Sequence, residues 1–174
     1  SAADLVLKPG NLAAVLEREV SARNASGAAQ RIRWAGFPAR KTIDDFDWDH
    51  QSAVRQQVAA LASGAFLAEA RNVVLLGPPG TGKTHLATAL GVTAAHHGHR
   101  VLFATAVDWV ARLQDAHRLG RLPAELARLR RYGLIIIDEV GYLPFEQDAA
   151  NLVFQLVSSR YEHASLILTS NLPF

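Results

Sequence analysis

Residues 75–87 read LLGPPGTGKTHLA. Gly77, Gly80 and Gly82 carry no side chain, and Pro78 and Pro79 block a helix or an inner strand. An apolar run, NVVLL at 72–76, leads in, and a helical pattern from Lys83 to about His97 leads out. Bare backbone at such a junction suits one task. Successive N–H groups can curl around an anion where no Cβ intrudes, and the following helix adds its positive end and unpaired N–H groups. The stretch matches G-x-x-x-x-G-K-[ST] at Gly77, Gly82, Lys83 and Thr84, in the strand–loop–helix context that the pattern requires. A tight turn with an incidental Lys-Thr would explain the composition but not the context. The residues expected to cradle the phosphates of ATP are Gly77, Pro78, Pro79, Gly80, Thr81, Gly82, Lys83, Thr84 and His85. Lys83 is expected to reach the β- and γ-phosphates, and the Thr84 hydroxyl to ligate Mg²⁺.

Further apolar runs follow the loop. VLFAT (101–105), LIIID (134–138) and LILTS (166–170) read as strands, separated by helical patterns at 108–118, 123–131 and 146–161. Continuous Val/Ile/Leu strands alternating with helices predict an α/β fold, a parallel sheet covered on both faces. Asp138 then ends a buried strand at the edge where open α/β sheets bind ligands. It is the expected Mg²⁺ carboxylate, and Glu139 the general base that polarises the attacking water. A strand that simply ends in two solvated acids is the plain alternative. Asn171, just past the last strand, could orient the water or touch the γ-phosphate, or serve only as a turn residue.

The N-terminal part is less legible. Leu12, Val15, Leu16 and Val20 repeat at helical spacing behind Asn11, a plausible N-cap, and the helix is expected to end near Arg23. Residues 24–36, rich in Ala, Gly, Ser and Arg, read as a linker. The expected division is residues 1–41, a helix with a basic linker, and residues 42–174, a nucleotide-binding core. Val54, Val58 and Leu61 suggest another helix, loosened near Gly64.

Composition limits the chemistry. With 174 residues the chain can bury a core, and with no cysteine it can form no disulfide or thiolate zinc site. No apolar run is long enough to cross a membrane, and no secretion signal is visible, so a cytoplasmic protein is expected. A net charge of +2 does not by itself imply nucleic acid. The absence of an initiator methionine suggests a fragment. The histidines at 96, 97 and 99 suit a helix C-terminus better than a metal. Trp34, Trp48 and Trp109 read as packing residues, and Arg160 as a surface residue.

GPPGTGKT, LIIIDE and LTSN, in this order, resemble the AAA+ ATPases. AGFPARKTIDDFDW, DEVGYLPF and LILTSNLPF sharpen the likeness to the IstB family of insertion-sequence helper ATPases, related to the helicase loader DnaC and the initiator DnaA. The likeness runs from about Ile32 to Phe174. It implies an AAA+ P-loop core with strand order 5-1-4-3-2, of which this chain would stop before the fifth strand and the helical lid. It implies Walker A at Gly77–Thr84, Walker B at Asp138 and Glu139, sensor 1 at Asn171, and Phe46 near the adenine. It further implies an ATP-dependent homo-oligomer on DNA and a cognate transposase as partner, or a replicative helicase if the chain is instead a loader. A chain without the lid's arginine finger is expected to bind nucleotide but hydrolyse it poorly, a loss of about 10³–10⁵ in rate in related chemistry.

The paired helices at 108–131 match the place that helps line the DNA path in the DnaA/DnaC group. The residues support this: Arg112, Arg118, Arg121, Arg128, Arg130 and Arg131 face only Asp115 and Glu125. Arg31, Arg33, Arg40 and Lys41 form a second basic stretch, which could contact DNA or a protein. A small-molecule kinase shares the phosphate loop, and a nucleotide-gated binding module without turnover is a third possibility.

Overall fold

The computed structural model describes residues 9–49, 51–142 and 147–171. Its elements in chain order are α1 (Pro9–Trp34), α2 (Ser52–Ala62), α3 (Ala65–Ala68), β1 (Val73–Leu76), α4 (Lys83–His96) and β2 (Val101–Thr105). They continue with α5 (Ala106–Arg118), α6 (Leu122–Leu129), β3 (Leu134–Asp138), a 3₁₀ turn (Val140–Tyr142), α7 (Gln147–Arg160) and β4 (Ser165–Ser170). The strands form one parallel sheet in the order β1-β4-β3-β2, as expected for the first four strands of the AAA+ core. The expected positions at residues 1–8 and 172–174, and at Glu146, lie outside the described residues. Among the described residues no helix is long and apolar enough to cross a membrane.

The period-2 alternation of β3 builds the two cores. Leu134 and Ile136 face one side, with Leu86, Leu90, Ala94 and Ala95 of α4, Val58 of α2 and Phe66 of α3. Ile135 and Ile137 face the other, with Trp109 and Leu113 of α5, Leu129 of α6, and Leu152 and Leu156 of α7. Each buried aliphatic side chain contributes roughly 1.5–3 kcal/mol. β3 is therefore covered on both faces, which is why its sequence is apolar throughout. Helix α4 is buried almost all round because α1 and α2 cover the face that the sheet does not.

Three expectations about single segments fail, each for a tertiary reason. Residues 24–34 are not a linker: α1 begins at Pro9, ahead of Asn11, and continues unbroken to Trp34. A helical glycine at Gly27 costs about 1 kcal/mol. Packing offsets it, since Ala28 is buried, Ile32 lies on the core, and Arg31 Nε donates to the Ala95 carbonyl at 2.8 Å. Trp34 is not a packing residue but is 66% exposed at the end of this helix, whereas Trp109 is fully buried with Nε1 donating to the Ile136 carbonyl.

Arg160 is not on the surface. Its guanidinium is buried and donates to the carbonyls of Leu129, Tyr132 and Ser165. Burial pushes its pKa down to about 10. The residue ties the end of α7 to the α6–β3 connection and the start of β4. The sequence holds a signal for this, because Ala149, Leu152, Leu156 and Arg160 fall on one helical stripe.

The junction of β1 and α4 needs its glycine. Gly82 caps α4 at φ +84°, a left-handed conformation. A Cβ on it would lie 2.4 Å from Cε2 of Phe46. Gly82→Ala is therefore expected to cost at least about 1–2 kcal/mol from the backbone alone, with a further loss as Phe46 is displaced. Adding Phe46→Ala removes that second term, so denaturant unfolding of the double variant should fall short of the summed single effects.

Candidate functional site

The site is built where the C-terminal ends of the parallel strands meet the start of α4. The loop 77–82 leaves β1 beside the end of β4, where the Gly77 N–H donates to the Ser170 carbonyl. No side chain caps α4, and its first turn carries no acid, so its positive end is unopposed from within. Lys83 Nζ folds back to donate to the Gly77 and Pro78 carbonyls, both at 2.7 Å, with Thr81 Oγ1 at 3.4 Å. Desolvation lowers the Lys83 ammonium below its usual range, and nearby Asp138 acts in the opposite direction.

Two hollows flank the loop. One, of about 410 Å³, runs between α2 and β1 and is walled by Val54, Val58, Leu75, Lys83 and Leu86. The other, of about 500 Å³, is walled by Lys41, Asp45, Phe46, Pro79, Gly80 and His85. Phe46 is almost covered, stacked near Trp48 and His85 and set against Gly82. The His85 ring is engaged with the Thr42 carbonyl at 2.8 Å, so what it leaves for a phosphate is its main-chain amide. Together these contacts lay the segment 42–48 along the loop.

Asp138, the carboxylate expected across the sheet, meets the first turn of α4 at Thr84. Asp138 is 4% exposed, so its charge requires donors. Thr84 Oγ1 lies 3.0 and 3.1 Å from its two oxygens, and Thr169 Oγ1 donates to Oδ1 at 2.5 Å. A hydroxyl and a carboxylate converging beside a phosphate-binding loop are the oxygen donors that suit a hard divalent cation. Glu139 follows with its side chain exposed and its backbone left-handed at φ +62°, and its N–H donates to Thr169 Oγ1 at 2.9 Å. Asn171 is half-buried, directly after Ser170, whose carbonyl holds the start of the loop. The structure thus brings Lys83, Thr84, Asp138, Glu139 and Asn171 to one end of the sheet. Thr169, a neighbour of Asn171 in a similar position in the sequence, joins two of them, a link that only the strand order reveals.

The basic residues divide into two sets. Arg112 and Arg128 both pair with Glu125, and Arg118 pairs with Asp115. The Arg128 hydrogen bond, opposed by desolvation and joined by that of Arg112, holds the Glu125 carboxyl below its usual range. Arg31 is turned to the end of α4. Among the described residues Arg33, Arg40, Lys41, Arg121, Arg130 and Arg131 have no acidic partner within 4 Å and are exposed.

Residues 9–174 match the family described as IstB-like ATP binding protein. A Pseudomonas aeruginosa protein named as an ATP-binding protein of insertion sequence IS21 is 44% identical over 164 residues. The match covers 94% of this chain but spans only 62% of that relative's length. A structure of the replication initiator DnaA bound to AMPPCP and single-stranded DNA aligns with a TM-score of 0.68 at 20% identity, over 79% of this chain and 43% of that one. The DnaC helicase loader aligns with a TM-score of 0.63 at 20% identity, over 83% and 81% of the two chains. These structures share the AAA+ fold seen here, and the sequence matches are more specific: the chain belongs to the family of IstB-like ATP-binding proteins.

Proposed function

We propose that the chain is the nucleotide-binding core of an ATPase that assists DNA transposition. The observation that carries this reading is the meeting of Thr84 and Asp138 beside Lys83, with Glu139 at the next position. ATP lies with its phosphates against the amides of 77–85 and its base beside the segment that holds Phe46. Lys83 exchanges its loop carbonyls for phosphate oxygens. Thr84 and Asp138 would hold Mg²⁺, which would supply charge neutralisation at the phosphates. Glu139 takes the proton of the attacking water, and Asn171 orients that water from the end of β4.

The whole protein assembles on DNA as an ATP-dependent homo-oligomer and recruits or stimulates a transposase. The insertion-sequence names of the relatives favour this partner over a replicative helicase. The basic residues without an acidic partner among the described residues, Arg121, Arg130 and Arg131 beside α6, Arg33 in the last turn of α1, and Arg40 and Lys41 after it, meet the DNA phosphates. Arg112 instead bridges α5 and α6 through Glu125, and Arg118 and Arg128 pair with acids of their own helices.

Turnover of the whole protein with and without duplex DNA tests the reading, and stimulation by DNA is the expected result. Phosphorylation of a small acceptor without DNA would replace it with a kinase. Lys83→Ala is expected to weaken ATP·Mg²⁺ uptake about 100-fold or more, close to 2.7 kcal/mol, in calorimetry. Glu139→Gln keeps that uptake and slows turnover by about 10²–10⁴, holding the ATP-bound assembly on DNA. Replacing Arg130 and Arg131 with alanine lowers the log–log salt slope of DNA binding by about 1 per arginine. Arg112→Ala leaves that slope unchanged.

A further inference from the structure

Thr169 places a hydroxyl at a buried strand position where valine, of the same shape, would leave no polar group to satisfy. It lies in β4, 1% exposed, between the ends of β1 and β3. Its single hydroxyl does two things at once. It donates its proton to Asp138 Oδ1 and accepts the N–H of Glu139. Glu139 is also one of three non-glycine residues at positive φ among those described. A left-handed residue costs about 1–2 kcal/mol and persists where its surroundings hold it there. The hydrogen bond to Thr169 is the hold: it supplies the acceptor that the Glu139 amide lacks where β3 pairing ends.

Resting on the reading of Glu139 as the base, we infer that Thr169 is the positioning residue of the hydrolytic step. It locks the carboxylate of Asp138 and the backbone of Glu139 to one pivot, so the metal-holding group and the base keep a fixed relation. Thr84 also touches Asp138, but it lies at the loop and the proposed function turns its hydroxyl to the metal. Thr169 is buried, and among the described residues its hydroxyl has no partner besides Asp138 and Glu139. Removing its hydroxyl frees Glu139 to leave the left-handed conformation and re-aims its side chain. A displacement of about 1 Å at a reacting group can cost 10²-fold in rate.

Thr169→Val keeps the shape and removes the hydroxyl, and Thr169→Ser keeps the hydroxyl. In the whole protein, Thr169→Val is expected to bind ATP·Mg²⁺ within about fivefold of the unaltered protein while kcat falls about 10- to 100-fold. Thr169→Ser is expected to restore kcat to within about threefold. Without nucleotide, hydrogen exchange in the peptide spanning 134–142 should be faster in Thr169→Val and unaltered in Thr169→Ser. Unchanged exchange in Thr169→Val would overturn the inference whatever the turnover. So would equal losses of affinity and kcat, or a serine variant no better than valine. Failure of Glu139→Gln to slow turnover would instead remove the base assignment and leave the exchange result standing as the test of the pivot.

Discussion

The site depends on a topological constraint. Thr84 and Asp138 lie 54 residues apart and end up in hydrogen-bond contact. They belong to elements attached to β1 and β3, which do not pair with each other. β4 lies between them, although it comes after both in the sequence. The nucleotide site is therefore not complete in the first two-thirds of the described chain. It closes when β4 inserts, bringing Thr169 against Asp138 and the Ser170 carbonyl against Gly77. Non-local closure of this kind places the site's assembly among the slow, cooperative steps of folding.

Charge within the site follows from that geometry. α4 presents an uncapped N-terminus, and Lys83 sits on loop carbonyls rather than on an acid. Asp138 accepts hydrogen bonds from hydroxyls instead of pairing with Lys83. An ammonium on carbonyls and a carboxylate on hydroxyls are both held by neutral groups. Each can change partner without stranding an opposite buried charge, which would cost several kcal/mol. A direct Lys83–Asp138 ion pair would have to be broken before a phosphate could enter between them.

Much of this was legible in the sequence. The glycine loop, the three further strands and the acid at the tip of LIIID were each read from local pattern, because phosphate cradles and doubly covered strands impose it. What escaped was set by contacts across the fold. The Ala/Gly/Ser-rich stretch 24–34 has weak local preferences and becomes helix by lying on α4. Arg160 repeats the buried stripe of α7, yet its charge argued for solvent until the three carbonyls around it were seen. Thr169 reads as a neighbour of Asn171 in a similar position, but its link between Asp138 and Glu139 exists only across the β3–β4 register.

The arginine-rich segment shows why charge counting is a poor guide to a binding surface. Six arginines against two acids suggested a continuous basic face. The fold spends Glu125 on Arg112 across the α5–α6 contact and on Arg128 within α6, and Asp115 on Arg118 within α5. The remaining positive charge stands at the two ends of α6, at Arg121 and at Arg130 and Arg131. Two separated charge centres about an eight-residue helix apart, roughly 12 Å at 1.5 Å per residue, suit a backbone with regularly spaced phosphates better than a single compact anion. The same spacing keeps these arginines apart from the loop amides and Lys83, so under the proposed function ATP and DNA would not compete for one set of cations.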